Sequence, residues 1–418
     1  MPTLQAAAPG KPPPARSAKK APARKAPPKK APRKPAPKPG PVAIEGAGAL
    51  RPFFAQLAAL KEPTTPPGTV ARILFFGDSH TAADFWPGRL RAQLQAVYGD
   101  GGPGLLLPAR PWRGYPHEGV EQDFGRRWPG ESLRSAEGTG RVGLAGAALE
   151  IPPGERYEVR GAIGGFAIQV FGVDGLHPLL APPELSPEEP PPPPIPLRET
   201  ERMVAGEGLS LRTYLPADPG PWGSLSLGLP EGLRLLGLDL RSGRTGVVLD
   251  ELGINGAELT DLERWDPLFR RALLDQARPA LLVLAYGTND LGRRDLDGAA
   301  YRQRAARLFR SLMEESGAPL LLLGPLDRQG RRRRGQNFKA GAATVLAAMR
   351  GACADAGCAF WDVRAAMGGP GSMARWRKER LAQRDLVHLT AAGYQKLGDL
   401  LHRALDQARE GWAKDLAE

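Results

Sequence analysis

Short apolar runs alternate with stretches of helical period along most of this chain, and that rhythm confines the fold more than any other feature. The runs are Ile73-Leu74-Phe75-Phe76, Val247-Val248-Leu249, Leu281-Leu282-Val283-Leu284, Leu320-Leu321-Leu322-Leu323 and Phe360-Trp361-Asp362-Val363. Segments apolar at nearly every position, rather than at every second one, suit strands covered on both faces, as in a parallel sheet. Between and after them, Leu90, Leu94 and Val97 recur at helical spacing. Further helices are expected around Leu262–Ala277, 298–314 and 338–355. A last helix starts after Thr390, whose hydroxyl suits an N-cap, and turns Tyr394, Leu397, Leu401 and Leu405 inward. Strands alternating with helices give an α/β fold: a three-layer α/β/α sandwich on a parallel sheet, flavodoxin-like in character.

Two regions break the rhythm and set the expected domain boundaries. Residues 1–44 are Pro, Ala and Lys in low-complexity order. Repeated prolines remove backbone donors and like charges repel, so this tail is expected to be disordered. Its first forty residues hold eleven Lys or Arg and no acid, so of the net charge of +12 only about +1 belongs to the rest. The basic tail is either a solvated spacer or a tether to a polyanion such as wall polymer, lipid headgroups or nucleic acid. Residues 111–240 are rich in Gly and Pro with short alternating segments, such as Tyr157–Arg160, Ala167–Val170 and Leu225–Leu229, and Pro190–Pro194 form a loop of their own. They are expected to be an inserted β-rich, β-sandwich-like module that splits the α/β domain into 45–110 and 241–418. No run reaches the ~18–20 apolar residues of a membrane span, and no signal peptide is visible at the start. Cys353 and Cys358 could pair in an oxidising compartment or be ordinary small residues at a helix-to-strand junction.

Three separated blocks carry the chemistry. Gly77-Asp78-Ser79-His80 follows the first strand, where the carboxyl ends of an open α/β sheet present residues to ligands. A serine hydroxyl needs a base to take its proton, and Asp385-Leu386-Val387-His388 offers one: a single turn lets the carboxylate hold one imidazole nitrogen while the other faces Ser79. In Tyr286-Gly287-Thr288-Asn289-Asp290, Asn289 can aim an amide N–H at a developing oxyanion. The backbone N–H groups of Gly256, within Gly253-Ile254-Asn255-Gly256-Ala257, and of Ser79 are the further oxyanion donors. Each block alone has a bland reading as a turn or surface pair; their order and their positions after strands set the combination apart.

The blocks resemble those of the SGNH (GDSL-like) hydrolases, with Ser79, Gly256, Asn289 and His388 as the named residues and Asp385 as the triad acid. His80 stands where many members have Leu. With Thr81-Ala82-Ala83-Asp84-Phe85, Leu252–Ala257, Ala285–Asn289 and Asp385–Thr390, the chain is similar to bacterial peptidoglycan O-acetylesterases and their transferase relatives. Those enzymes also carry a β-rich, carbohydrate-binding-like insert between the first two blocks. The resemblance implies a periplasmic or cell-envelope carboxylic ester hydrolase removing O-acetyl groups from a polysaccharide, without a cofactor. An O-acetyltransferase, a lipid or thioester hydrolase, a non-catalytic envelope-binding module and a cytoplasmic location remain alternatives.

The remaining polar residues are assigned smaller parts. Asp78 is expected to brace its turn through backbone hydrogen bonds and His80 to pack in or near the pocket. His117, His177 and His402 show no metal-ligand spacing. Arg328 with Arg331–Arg334 forms either a solvated loop or a contact for an anionic glycan. Trp361 and Trp376 are candidates for the pocket mouth, with core packing the other reading for Trp361. No nucleic-acid reader domain accompanies the basic tail.

Overall fold

The computed structural model describes residues 42–107, 117–124, 128–153, 157–163, 165–172, 179–181, 195–204, 210–216, 222–228, 234–293, 296–329 and 338–417. Residues 1–41 of the basic tail, His177, Pro190–Pro194 and Arg331–Arg334 lie outside them. Five strands form a parallel sheet in the order Gly246–Gly253, Val70–Gly77, Leu281–Ala285, Leu320–Leu323, Ala359–Trp361. Numbered along the chain, this order is 2-1-3-4-5, the flavodoxin-like arrangement, in which the strand order reverses between the first and third strands.

Alternate side chains of each strand enter different layers, since a strand has a period of two. Ile73, Phe75, Leu249, Val283, Leu321 and Leu323 pack on one face against helices α1 (Arg51–Ala59), α2 (Phe85–Tyr98) and the C-terminal helix, Ala391–Ala417. Leu74, Phe76, Leu282, Leu284, Leu320 and Leu322 enter the other face, with residues of α3 (Pro267–Ala277), α4 (Gly298–Ser316) and α5 (Phe338–Ala356). This sandwiching is why both parities of these strands are apolar. Thr390 caps the C-terminal helix by accepting from the Gly393 N–H at 3.2 Å, and Tyr394, Leu397, Leu401 and Leu405 are buried.

Three local expectations are corrected. Val97 is 46% exposed; the buried stripe of α2 runs through Leu90, Leu94 and Tyr98 and leaves it at the edge. The helix expected from Leu262 is two elements. A 3-10 turn, Leu259–Arg264, stops at extended Trp265, and α3 restarts with Asp266 accepting from the Leu268 and Phe269 N–H groups ahead of Pro267, a helix start of the usual kind. Trp361 and Trp376 are fully buried, their indole N–H groups donating to Val42 and Met367 carbonyls, so neither lines a pocket mouth.

The second body is an antiparallel sheet of eleven strands between Gly104 and Arg241. A buried ionic joint ties it to the parallel sheet. Arg72, in the strand Val70–Gly77, donates to Asp250 at 2.5 Å and to Asp239 of the Arg234–Arg241 strand at 3.0 Å, while Asp250 also accepts from the Leu105 N–H at 2.8 Å. Burial works against the Arg72 charge, but the two carboxylates outweigh it and hold the guanidinium more firmly protonated than usual. Cys353, in the last turn of α5, is joined to Cys358 by a disulfide, with 5.0 Å between their Cα atoms.

Candidate active site

The carboxyl ends of the first and third strands open onto one site. Gly77 ends the first strand, and a Cβ there would lie 2.0 Å from the Thr81 hydroxyl oxygen, so the chain turns without a side chain at that point. The Thr81 and Ala82 N–H groups donate to the Asp78 carbonyl, and the Asp78 side chain accepts from the His80 N–H at 2.9 Å. Ser79 therefore sits at the apex of a turn braced from within. Burial pushes the Asp78 carboxyl up to about 7, against the pull of the His80 N–H and with a further push from Asp290.

Ser79 Oγ lies 3.0 Å from His388 Nε2, and His388 Nδ1 lies 2.7 Å from Asp385 Oδ2. The other Asp385 oxygen accepts from the Val387 and His388 N–H groups at 2.9 and 3.0 Å. One carboxylate thus closes the turn and holds the ring. Leu386 takes a φ of 57° within that turn. Partial burial raises the Asp385 carboxyl, but the hydrogen bonds from His388 and the two backbone N–H groups prevail and hold it below the usual carboxylate range.

His80 fills the space behind His388, their ring centroids 5.3 Å apart, and its Nδ1 pairs with the Tyr394 hydroxyl at 2.8 Å. Burial, helped by His388 and Arg328, depresses His80 to about 3, so it stays neutral beside the other imidazole. Asn289 donates through Nδ2 to the Ala257 carbonyl at 2.9 Å and makes a longer 3.5 Å contact with Asp78. The Gly253–Ala257 turn is bound to the serine turn through the Ile254 N–H, which donates to the Gly77 carbonyl at 2.9 Å. Gly256 has φ 75°, and a Cβ on it would sit 2.8 Å from Arg134 Nη1; both favour glycine. Among the described residues, neither the Ser79 nor the Gly256 N–H meets a protein acceptor.

Two arginines join this site that motif reading does not place there. Arg134, from the antiparallel module, donates to the Asn255 carbonyl at 2.8 Å. Its position 121 residues before Asn255 leaves no local signal. Arg328, grouped above with a basic loop, donates to the Thr288 carbonyl at 2.9 Å and lies in the field of Asp78 and Asp385. His117 and His402 make other contacts. The first is buried beside Asp84, and the second faces Asp406 on the C-terminal helix. Among the described residues no group of three potential ligands gathers to hold a metal ion.

Polar residues thus converge where the strand order of the sheet reverses, the place at which open α/β sheets bind ligands. Residues 220–396 match the GDSL-like lipase/acylhydrolase family. The matched stretch contains Gly256, Asn289, Asp385 and His388 but starts after Ser79, which the insert separates from the rest. That stretch is similar to GDSL-like acylhydrolases. The fold of the chain is that of a solved peptidoglycan O-acetylesterase, with a TM-score of 0.66 and 24% identity, covering 87% of this chain and 97% of that one. More partial similarities include a lipase/acylhydrolase from Enterococcus faecalis (TM-score 0.30, 22% identity, 38% of this chain and 75% of that one). Another is an acetyl xylan esterase (TM-score 0.30, 19% identity, 39% and 82%). No curated protein matches the chain in sequence.

Proposed function

We propose that the protein is a serine O-acetylesterase acting on an acetylated cell-envelope polysaccharide, peptidoglycan, through a triad of Ser79, His388 and Asp385. The observation that carries the reading is the unbroken chain from Ser79 Oγ to His388 Nε2 at 3.0 Å and from His388 Nδ1 to Asp385 at 2.7 Å. With Asp385 ionised and accepting from Nδ1–H, Nε2 is left with a lone pair toward the hydroxyl, as a general base requires.

In the first half-reaction Ser79 Oγ adds to the acetyl carbonyl while His388 takes its proton. The carbonyl oxygen becomes an oxyanion, received by the N–H groups of Ser79 and Gly256 and by Asn289. The Ala257 carbonyl fixes the plane of the Asn289 amide, so this donor is oriented before substrate arrives. A donor of this kind is worth ~2.7–4 kcal/mol of barrier. The C–O bond to the sugar then breaks, and His388 returns the proton to the departing hydroxyl. In the second half water adds to acetyl-Ser79 with His388 again as base, acetate leaves and the serine is restored.

The peptidoglycan assignment draws support from the solved peptidoglycan O-acetylesterase, which the fold follows over most of both chains. The disulfide between Cys353 and Cys358 supports an oxidising compartment such as the cell envelope. Among the described residues no helix is long and apolar enough to cross a membrane. The test is acetate release from O-acetylated peptidoglycan, compared with acetylated xylan and p-nitrophenyl acetate. The native protein is expected to prefer peptidoglycan, and Ser79→Ala is expected to abolish turnover on all three and labelling by a fluorophosphonate. Wild-type turnover by Ser79→Ala would remove the nucleophile; equal rates on xylan and peptidoglycan would remove the substrate.

A further inference from the structure

The antiparallel module and the Gly253–Ala257 turn enclose a cleft of about 680 Å³, within the ~300–1,000 Å³ typical of small-ligand sites. Trp128, Leu149 and Ile254 give it an apolar lining, and Ser132, Arg134 and Ser135 a polar one. A pyranose has the same division, with C–H faces suited to apolar surface and a rim of hydroxyl and acyl oxygens. The polar side chains are held in place by local bonds. Ser135 Oγ accepts from the Ser132 N–H at 2.9 Å and Ser132 Oγ from the Arg134 N–H at 3.3 Å. Because each hydroxyl is engaged there as an acceptor, its O–H stays usable as a donor. The Arg134 side chain is 48% exposed, with Nε 3.8 Å from Asp261 and Nη1 bonded to the Asn255 carbonyl, which leaves Nη2 for a ligand in the cleft.

The cleft borders the turn that carries Gly256. Ile254 and Asn255 line it. The Ile254 N–H is bonded to Gly77, two residues before Ser79, and Arg134 is bonded to Asn255, next to the Gly256 N–H. The Ala257 carbonyl, at the far side of the turn, holds Asn289. A ligand in the cleft therefore touches Ile254 and Asn255, the two residues that precede Gly256.

We propose that this cleft is a glycosyl subsite, seating the N-acetylated sugar next to the one that carries the ester, with Arg134 meeting an acyl carbonyl or carboxylate oxygen of the glycan. The assignment rests on the esterase reading above and extends it. Small esters miss this subsite; a glycan long enough to occupy it gains affinity and steadies the Asn255–Gly256 turn through Arg134.

The test separates binding from hydrolysis. Ser79→Ala in the full chain is titrated with tri-N-acetylchitotriose, alone and combined with Ser135→Trp, which projects a large side chain into the cleft. The saccharide is expected to bind Ser79→Ala, and the added tryptophan to weaken it about tenfold or more. In the Ser79-containing protein, Ser135→Trp is expected to lower the ratio of kcat/KM on O-acetylated peptidoglycan to that on p-nitrophenyl acetate by a similar factor. Should Ser135→Trp not fold, hydrogen exchange of Ser79→Ala with and without the saccharide reads the site directly, and protection is expected at 130–135 and 254–257. Absence of saccharide binding, unchanged affinity in the tryptophan variant, or protection confined to other segments overturns the subsite. Loss of acetate release from the polymer by the native protein would instead strike the esterase reading, whatever the saccharide does.

Discussion

Asp385 meets three hydrogen-bond donors, and each does a different job. The bonds from the Val387 and His388 N–H groups shape the turn; the bond from His388 Nδ1 sets the tautomer. Asp385→Asn retains a side-chain oxygen for the turn and loses the charge that fixes the ring. On the proposed mechanism it is expected to lower kcat on p-nitrophenyl acetate by up to ~10⁴, with the fold intact by circular dichroism. Arg328 belongs to the same scale. Its bond to the Thr288 carbonyl steadies the residue before Asn289, and its charge interacts with both Asp78 and Asp385. Arg328→Ala is therefore expected to lower kcat about tenfold on simple and polymeric esters alike, the loss of one charge-assisted hydrogen bond of ~1.5 kcal/mol. Lysine at 328 should recover part of it. A rise confined to KM on the polymer would return Arg328 to the glycan contact that its neighbouring arginines suggest.

At the level of elements, α2 and the start of the inserted module are held by buried charge. Asp84 accepts from Arg91 and from the Glu118 N–H, with His117 Nδ1 3.8 Å away. Burial, aided by Arg91 and opposed by Asp84, depresses His117 to about 4. Its unfolded value is 6.5, so the unfolded chain takes up a proton between these limits that the folded one refuses. The resulting stability is present above pH 6.5 and lost as pH falls toward 4, by at most about 1.4 kcal/mol per pH unit. His80, depressed to about 3, acts in the same direction. His117→Phe is expected to lose less melting temperature than the native protein between pH 7.5 and pH 5; parallel losses would assign the acid sensitivity elsewhere. The strands of the parallel sheet could be read from the chain because burial on both faces leaves uninterrupted apolar runs, as at Leu320–Leu323. The residues of the serine turn and the Asp385–His388 turn were legible because their local spacing sets their geometry. The joint of Arg72, Asp239 and Asp250 was not, since an arginine and an aspartate at the ends of apolar runs look like strand boundaries until a distant strand supplies the partner. The pairing order of the antiparallel module was hidden for the same reason. Its register rests on contacts such as Leu238 with Leu106, far apart in sequence. The break at Trp265 escaped because the leucine spacing runs through it, while the cap that restarts the helix is a single Asp-Pro pair.

Across the whole molecule, every side chain assembled at the site comes from residues 77–394, so removing residues 1–41 is expected to leave turnover of p-nitrophenyl acetate unchanged. Adsorption to anionic polymer at low salt, if the tail is a tether, should fall in the same variant and lose its salt dependence. A drop in small-ester turnover would mean that the basic segment serves the folded body directly. The path of the chain through the parallel sheet bears on its synthesis as well. The first strand, Val70–Gly77, is flanked by Gly246–Gly253 and Leu281–Ala285, which emerge from the ribosome long after it. The imidazole paired with Ser79 arrives later still, ahead of only the closing helix. A partly made chain therefore carries the Ser79 hydroxyl before the imidazole that lies 3.0 Å from it in the folded protein, so the pair assembles only once nearly the whole α/β domain has been made.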